Sequence, residues 1–144
     1  NGEDVSEQIR TPEASMMASA VSAKPEVRAF LLDMQRRLAR ENNVIMDGRD
    51  IGTVVLPDAT RKFFVTASVD ERAMRRYKEL KQKGMDVNFD DIYKDIETRD
   101  YNDSHREIAP LKPAADSIMF DTTGNTLEES IEKLIKIIKE RLSI

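Results

Sequence analysis

Twice in this sequence, a short run of β-branched and aromatic residues is followed closely by a capping box that starts a helix. Residues 62–67 (KFFVTA) form the first run, and residues 68–71 (SVDE) form the capping box after it. Residues 117–121 (SIMFD) and the capping box at 126–129 (TLEE) repeat this order. Strands that alternate with helices along a chain are typical of a parallel sheet covered by helices. The order therefore predicts an α/β fold.

A third candidate strand leads into a loop rich in charged residues. Residues 44–57 read VIMDGRDIGTVVLP, an apolar run followed at once by Asp47, Arg49, Asp50 and two glycines. In open α/β sheets, ligands bind just beyond the carboxyl ends of the strands. We therefore expect a strand at residues 44–46 and a ligand site in the loop after it. An ordinary polar turn would give the same pattern, so the pattern alone leaves both interpretations open.

The helices are predicted from their start signals and from the spacing of their apolar residues. Thr11 followed by Pro12 starts one helix, and Pro25 starts the next. Asn88 caps the helix that follows the one started by Ser68. The apolar stripes expected to face the core are Val27, Phe30, Leu31, Met34 and Leu38; Ala73, Tyr77 and Leu80; Phe89, Ile92, Tyr93 and Ile96; and Leu127, Ile131, Leu134, Ile135, Ile138 and Leu142.

Composition limits the function classes open to this chain. Its 144 residues, 35% of them charged, suit one domain with a modest core. Because the formal net charge is −4, nucleic acid could bind only at a local basic patch. With no cysteine and a single histidine, His105, the chain cannot form disulfides, thiolate metal sites or a multi-histidine metal site. No apolar run is long enough to span a bilayer, so we expect a cytoplasmic protein without a membrane or nucleic-acid partner.

Two groups of charged residues have the spacing of a helix face. One group consists of Arg72, Arg75 and Arg76. The other consists of Arg99, Asp103 and Arg106. Guanidiniums on one face could bind phosphate oxygens bidentately, and the second group could form a mobile arm that closes on an anionic ligand. Solvated charges and a surface ladder of ion pairs are the alternative, and the spacing does not decide between them.

Three longer motifs occur in a fixed order along the chain: DGRDIGTVVLPDA, then ASVDERAMRR, then RDYNDSHREIAPLKPAAD. With EDVSEQIRT near the front, they make the sequence resemble bacterial cytidylate kinases over essentially its whole length. The resemblance implies the fold of P-loop nucleoside monophosphate kinases, a three-layer α/β/α structure with a parallel sheet. It also implies that the γ-phosphoryl group of ATP, with Mg²⁺, is transferred to CMP or dCMP.

The resemblance further implies which residues form the site. Those that would recognise the cytosine edge are Ser19, Arg28 and Asp50. Those that would lie near the acceptor phosphate or the transferred phosphate are Arg49, Arg99 and Arg106. Asp103 matches a ribose contact on the lid, Arg75 matches a basic position toward ATP, and Asp47 lies where an acid near Mg²⁺ would be plausible. Such catalysis relies on positioning and charge neutralisation, which suits a site rich in arginine.

The same resemblance implies a layout within one domain. Residues 1–10 would be the end of an insert in the acceptor region, and residues 11–41 the helices that bind the acceptor. Residues 42–85 and 109–144 would form the core, and residues 86–108 the lid.

One departure from the family pattern changes what we expect of this chain. The sequence has no G-x-x-x-x-G-K-[ST] loop to hold the phosphates of ATP, and it opens with Asn1 and not with Met. We therefore expect the C-terminal two thirds of a cytidylate kinase, without its first two strands and inactive alone. Its partner would be a missing N-terminal segment or a swapped second copy. The alternatives are a non-catalytic module that binds nucleotide or RNA phosphate, and a kinase for another pyrimidine monophosphate such as UMP.

Overall fold

The computed structural model of this chain describes residues 2–6 and 8–142, with Leu142 described through its backbone alone. Its elements in chain order are a 3-10 turn (Gln8–Arg10), α1 (Pro12–Ser22), α2 (Pro25–Glu41), a π-helical turn (Ile51–Val55), β1 (Phe63–Thr66), α3 (Val69–Gln82), α4 (Phe89–His105), β2 (Ile118–Asp121) and α5 (Leu127–Leu142). The chain divides into two units, the first formed by Asn1–Pro57 with Asp103–Lys112 and the second by Asp58–Asn102 with Pro113–Ile144.

In the second unit, β1 and β2 form a parallel sheet. Phe63 lies opposite Ile118, and Thr66 lies opposite Asp121. A hydrogen bond of 2.8 Å from Thr122 N to Thr66 O continues the pairing past the last residue of β2. Both strands and their parallel direction agree with the strand and helix pattern of the sequence, so these predictions are confirmed.

The core of the second unit lies between α3 and α4. Ala73 and Leu80 on α3 and Ile92 on α4 are buried, as their spacing predicts. Tyr77 and Phe89 close one side of this cluster in an edge-to-face contact, with ring centroids 6.0 Å apart and an interplanar angle of 85°. Such a pair contributes about 0.5–1.5 kcal/mol beyond the burial of its area.

The predicted helix starts are confirmed by hydrogen bonds from the caps. Thr11 Oγ1 accepts a 3.2 Å bond from a backbone N–H in the first turn of α1. Ser68 Oγ accepts a 3.2 Å bond from Glu71 N at the start of α3. At α5 the capping box is reciprocal, because Thr126 Oγ1 accepts from Glu129 N at 3.1 Å and Thr126 N donates to Glu129 Oε2 at 2.8 Å. Caps of this kind each stabilise a helix by about 1 kcal/mol.

The predicted strand at residues 44–46 is wrong. These residues belong to no strand, and Val44 and Ile45 are exposed. A β-strand is stable only when its N–H and C=O groups pair with a neighbouring strand, and β-branched residues alone do not supply that partner.

The apolar stripe predicted for α2 is not a core stripe. α2, which the structure describes in full, buries none of its residues, and Phe30 is 75% exposed. On α5 the result is mixed, since Leu127 is 70% exposed while Leu134 and Ile138 are half-buried. The side chain of Leu142 lies outside the described part. An apolar stripe becomes core only where another element covers it, which spacing within one helix cannot reveal.

In the first unit, α2 contacts both α1 and the π-helical turn. Val55, at the end of that turn, is buried. The carbonyls of Val54 and Val55 accept hydrogen bonds from the guanidinium of Arg36 on α2. None of the described helices combines the length and the apolar character that a bilayer crossing requires.

Candidate functional site

Ion pairs within the first unit join five of the charged residues singled out from the sequence: Arg28, Arg49, Asp50, Asp103 and Arg106. We call these five residues the arginine–aspartate cluster. Arg28 is in the first turn of α2, and Asp50 is the residue before the π-helical turn. Asp103 is in the last turn of α4, and Arg106 follows the end of that helix. The ion pairs described below bring together residues that are up to 56 positions apart in the sequence, as in the pair of Arg106 with Asp50.

Asp50 is held from two sides. Arg28 Nη2 donates a hydrogen bond to Asp50 Oδ2, and Arg106 Nη2 lies 3.6 Å from Asp50 Oδ1. Arg28 is itself fixed by α1, because its Nη1 donates to the carbonyl of Ser22 at 3.3 Å. Asp50 is only 8% exposed, so its charge depends on these guanidiniums and not on water.

Asp103 occupies a similar position between two arginines. Arg49 Nε donates to Asp103 Oδ2 at 3.0 Å, and Arg106 Nη1 lies 3.7 Å from Asp103 Oδ1. The backbone carbonyl of Asp103 accepts a 2.7 Å bond from Leu111 N, which fixes the chain after the helix. The Asp103 carboxylate is buried, whereas the Arg49 side chain is 40% exposed. Arg49 is therefore the arginine of this cluster that solvent reaches most readily.

Arg106 lies between the carboxylates of Asp50 and Asp103, and one of its N–H donors is not satisfied by the described residues. Its Nε donates to the carbonyl of Ala109 at 2.7 Å, which orients the guanidinium. Ala109 has a φ of +52°, a left-handed conformation that costs an L-residue about 1–2 kcal/mol. Among the described residues, none accepts a hydrogen bond from the buried Arg106 Nη2. An acceptor atom of a ligand could satisfy that donor.

The cluster as a whole carries one positive charge in excess, because three guanidiniums face two carboxylates. At an effective dielectric constant near 20, a pair of unit charges 4 Å apart interacts by about 4 kcal/mol, so the arrangement is strongly ordered by its own charges. An anionic ligand would add the missing negative charge. Donors and acceptors alternate within a few ångströms, which also suits a ligand that presents both.

The structure places the other predicted site residues as follows. Ser19 is half-buried on α1, and its carbonyl accepts a 3.0 Å bond from Ser22 Oγ, next to the carbonyl that holds Arg28. Asp47 is exposed in the loop before the cluster. Arg99 lies on α4 in the second unit. Arg106 follows α4, so the shared helix face predicted for Arg99, Asp103 and Arg106 ends at Asp103, the last of the three within the helix.

In the second unit, the three arginines of the α3 stripe are bound by protein groups. Arg72 donates to Asp100 at 2.6 Å, and Arg76 to Glu79 at 2.8 Å. Arg75 donates from Nη2 to the carbonyl of Thr122 at 2.7 Å and from Nε to a carboxylate on α3 at 2.8 Å. Arg75 thus links α3 to the loop after β2. Binding of phosphate by this stripe, and of ATP at Arg75, stays a prediction.

Three residues with structural importance were missed in the sequence. Arg36 lies off the apolar stripe of α2, which in sequence is typical of a solvated charge, although it bonds to the π-helical turn. Ala109 gave no signal, since alanine is not a residue expected at positive φ. Thr122, buried between β1 and Arg75, lies in a stretch whose sequence is typical of a polar loop. The roles of Arg36 and Thr122 depend on contacts distant in sequence, which periodicity does not detect.

Comparison with known proteins gives a consistent result. The family model described as cytidylate kinase matches residues 1–140. A cytidylate kinase of Fervidobacterium nodosum is 50% identical over 144 residues, which are 100% of this chain and 66% of that protein. A cytidylate kinase of Clostridium botulinum is 51% identical over 97% of the chain and 64% of its own length. One of Geobacter sulfurreducens is 52% identical over 98% and 60%. The chain thus spans slightly less than two thirds of the length of these relatives.

Proposed function

Because the chain belongs to the cytidylate kinase family, we propose that it carries the acceptor-nucleotide site of a nucleoside monophosphate kinase. The acceptor is CMP or dCMP, and the reaction transfers the γ-phosphoryl group of ATP to the acceptor phosphate. The names of the similar proteins support this substrate class.

The observation that carries the proposal is the arrangement of Arg28 and Asp50 within the arginine–aspartate cluster. Cytosine presents an amino donor next to a ring nitrogen and a carbonyl oxygen, both of which are acceptors. The carboxylate of Asp50 can accept from the amino group, and the guanidinium of Arg28 can donate to the acceptors. The two groups already lie in hydrogen-bond contact. A cytosine edge would therefore exchange one set of charge-assisted bonds for another, while uracil would place a carbonyl oxygen against the carboxylate.

For the acceptor phosphate, Arg49 and Arg106 are the proposed ligands. Arg49 is the exposed arginine of the cluster, and Nη2 of Arg106 has no hydrogen-bond acceptor within the part of the chain that the structure describes. Asp103 would orient both and contact the ribose. Arg99 is proposed for the transferred phosphate from the family pattern. Arginine binds phosphate oxygens bidentately, which positions the acceptor for transfer.

The 144 residues fit ATP and Mg²⁺ less well than they fit CMP. The sequence contains no glycine-rich loop ending in Gly-Lys, and the described residues contain no group of three or more acidic or histidine side chains suited to a metal ion. Arg75, proposed for the ATP side, is bound to the loop after β2. We therefore propose that these residues bind CMP but do not phosphorylate it without further protein.

Calorimetric titration with CMP, dCMP and UMP tests the binding half of this proposal. CMP and dCMP should bind, and UMP should bind at least about ten-fold more weakly, because an unpaired carbonyl would face Asp50. Equal affinity for CMP and UMP would instead indicate a UMP kinase or a site without base selection. Binding of a short RNA with no preference for CMP would favour the non-catalytic module.

Release of ADP from ATP in the presence of CMP tests the catalytic half. The 144 residues should give no CMP-dependent release. A fusion of this chain with the part of the Fervidobacterium nodosum relative that the match leaves out should restore it. CMP-dependent turnover by the chain alone would contradict the proposal that ATP requires further protein.

A further inference from the structure

The guanidinium of Arg36 bridges two successive backbone carbonyls of the loop that carries Asp50. Arg36 Nη2 donates to Val54 O at 2.8 Å, and Arg36 Nε donates to Val55 O at 3.1 Å. Both bonds are partly buried and both come from a charged donor. Such bonds are about twice as strong as those between neutral groups. A lysine could not reproduce them, since its single ammonium lacks the planar fork that reaches two acceptors at once.

The bridged segment is a single π-helical turn, Ile51–Val55. Leu56 N donates to Ile51 O at 2.7 Å, while Val54 N and Val55 N donate to the carbonyl of Asp50 at 2.9 and 3.2 Å. The carbonyls at the far end of so short a helix have no further turn to supply donors. Turns of this kind are rare and occur frequently at functional sites. Arg36 supplies the missing donors from α2 and places a positive charge at the carbonyl end of the turn.

The turn in turn fixes Asp50. The Asp50 backbone carbonyl accepts hydrogen bonds from the N–H groups of Thr53, Val54 and Val55 in the turn, so the orientation of Asp50 follows from the shape of the turn. The backbone just before Asp50 is also closely packed, because a Cβ on Gly48 would lie 2.9 Å from Cγ1 of Ile51. The Asp50 side chain then meets Arg28, which is on the same helix as Arg36.

We propose that Arg36 is a positioning residue for the base-selecting carboxylate: it holds the Ile51–Val55 turn in the one form that presents Asp50 to Arg28. Arg28 and Arg36 are eight residues apart on α2, so a single helix sets both the carboxylate's partner and the orientation of the loop that carries it. The consequence for base selection rests on the proposed CMP site, whereas the consequence for the Arg28–Asp50 pair does not.

The first test measures the pair without any nucleotide. In the full 144-residue chain, the side-chain NH signals of Arg28 are followed by NMR in Arg36→Met and Arg36→Lys, with Arg37→Met as the matched control. Arg37 is the next residue on α2 and is exposed. The Arg28 NH hydrogens should exchange with solvent at least about ten-fold faster in Arg36→Met, and by an intermediate amount in Arg36→Lys, because the lysine ammonium keeps the charge and can donate to one of the two carbonyls. The amides of Val54, Val55 and Leu56 should accelerate with them, and that of Leu80 on α3 should not.

The second test measures base selection in the same variants. The ratio of the Kd values for UMP and CMP should fall about ten-fold in Arg36→Met and stay unchanged in Arg37→Met, because the proposed discrimination between the two bases requires Asp50 and Arg28 to be held in place. Equal exchange rates of the Arg28 NH hydrogens in Arg36→Met and Arg37→Met would overturn the inference. So would faster exchange of the turn amides with an unchanged Arg28 signal, since Arg36 would then only stabilise the turn. Suppose that the wild-type chain binds no CMP, and that the Arg28 NH hydrogens still exchange faster in Arg36→Met than in wild type. This result would refute the proposed function and leave the positioning role of Arg36 in place.

Discussion

In the structure, the negative charge of Asp50 is compensated by two arginine side chains. One carboxylate oxygen accepts from Arg28, and the other lies 3.6 Å from Arg106. Two guanidiniums therefore depend on this one acidic side chain. A buried charge that loses its partner is costly, so Asp50 contributes to stability as well as to the proposed selection of cytosine.

Replacing Asp50 with Asn should separate these two contributions. The amide keeps the shape of the carboxylate but loses its charge, so we expect CMP binding to weaken by about 1–3 kcal/mol and unfolding to require less urea. Calorimetry and urea titration measure the two effects. Asp33→Asn, an exposed position on α2, is the control and should change both by less than about 0.5 kcal/mol. CMP affinity that equals the wild-type value would remove Asp50 from the base site.

Ala109 allows a test in which the direction of the change is diagnostic. Its φ of +52° suits glycine and strains alanine. We expect Ala109→Gly to stabilise the chain by about 0.5–1 kcal/mol, after allowing for the greater freedom of glycine in the unfolded state. Ala29→Gly, in the interior of α2, should destabilise it by about 0.5–1 kcal/mol, because there the helix fixes a negative φ. Urea denaturation measures both, and a loss of stability in Ala109→Gly would show that the greater freedom of glycine in the unfolded state outweighs the relief of strain.

Among the elements, α3 carries an ion-pair arrangement that responds to pH. Hydrogen bonds from Lys83 and then from Arg76 hold the pKa of the Glu79 carboxyl below its ordinary value of 4.5. Because the pKa in the folded state is the lower one, the stabilisation is complete above about 4.5 and is lost as the pH falls through the folded-state value.

Lys83→Met should therefore raise the pKa of Glu79 toward 4.5, which an NMR titration of the carboxyl carbon measures directly. The stability difference between the variant and the wild type should be present at pH 7 and disappear in acid. Lys78→Met removes an exposed lysine from the same helix and should leave the pKa of Glu79 in place. An unchanged pKa in Lys83→Met would mean that the pair at 2.7 Å does not persist in solution.

The lid assigned to residues 86–108 stays a prediction at the level of α4. Toward its end this helix carries Asp103, whose carboxylate pairs with Arg49, so a ligand at the cluster would act on it directly. We expect amide exchange in residues 94–108 to slow on addition of CMP, while the amides of α3 stay unchanged. Exchange that is equally slow with and without CMP would favour a static ladder of ion pairs.

At the scale of the whole molecule, the family match and the parallel pairing of β1 with β2 confirm the predicted fold class, the α/β fold of P-loop nucleoside monophosphate kinases. Within each unit, however, a helix presents apolar side chains to solvent: Phe30 on α2 and Leu127 on α5. Exposed apolar surface of this kind favours association, because its burial releases about 25 cal/mol per Å².

We therefore expect the chain to self-associate as its concentration rises, and Phe30→Glu to reduce this association. Sedimentation velocity over a range of concentrations measures it. Ala29→Glu adds the same charge to the neighbouring position and should have a smaller effect, because it removes no large apolar surface. A wild-type chain that stays monomeric at high concentration would show that the exposed Phe30 side chain does not mediate self-association.

Residues that interact over three or four positions were predictable from the sequence. The caps Thr11, Ser68 and Thr126 all act within one turn, so the pattern that encodes them is local. The order of strand and helix similarly determined the parallel sheet of β1 and β2, because such strands require a connection across the sheet. The family motifs added the residues of the candidate site.

Only the tertiary structure decided which stripes are covered and which charges are paired. Residues 44–46 have the composition of a strand but no partner, and Phe30 has the position of a core residue but no cover. Arg36 and Arg37 are adjacent and chemically identical, yet only Arg36 is placed to bridge two carbonyls of the turn. Burial and ion pairing depend on groups that are distant in sequence, and those distances are set when the elements pack.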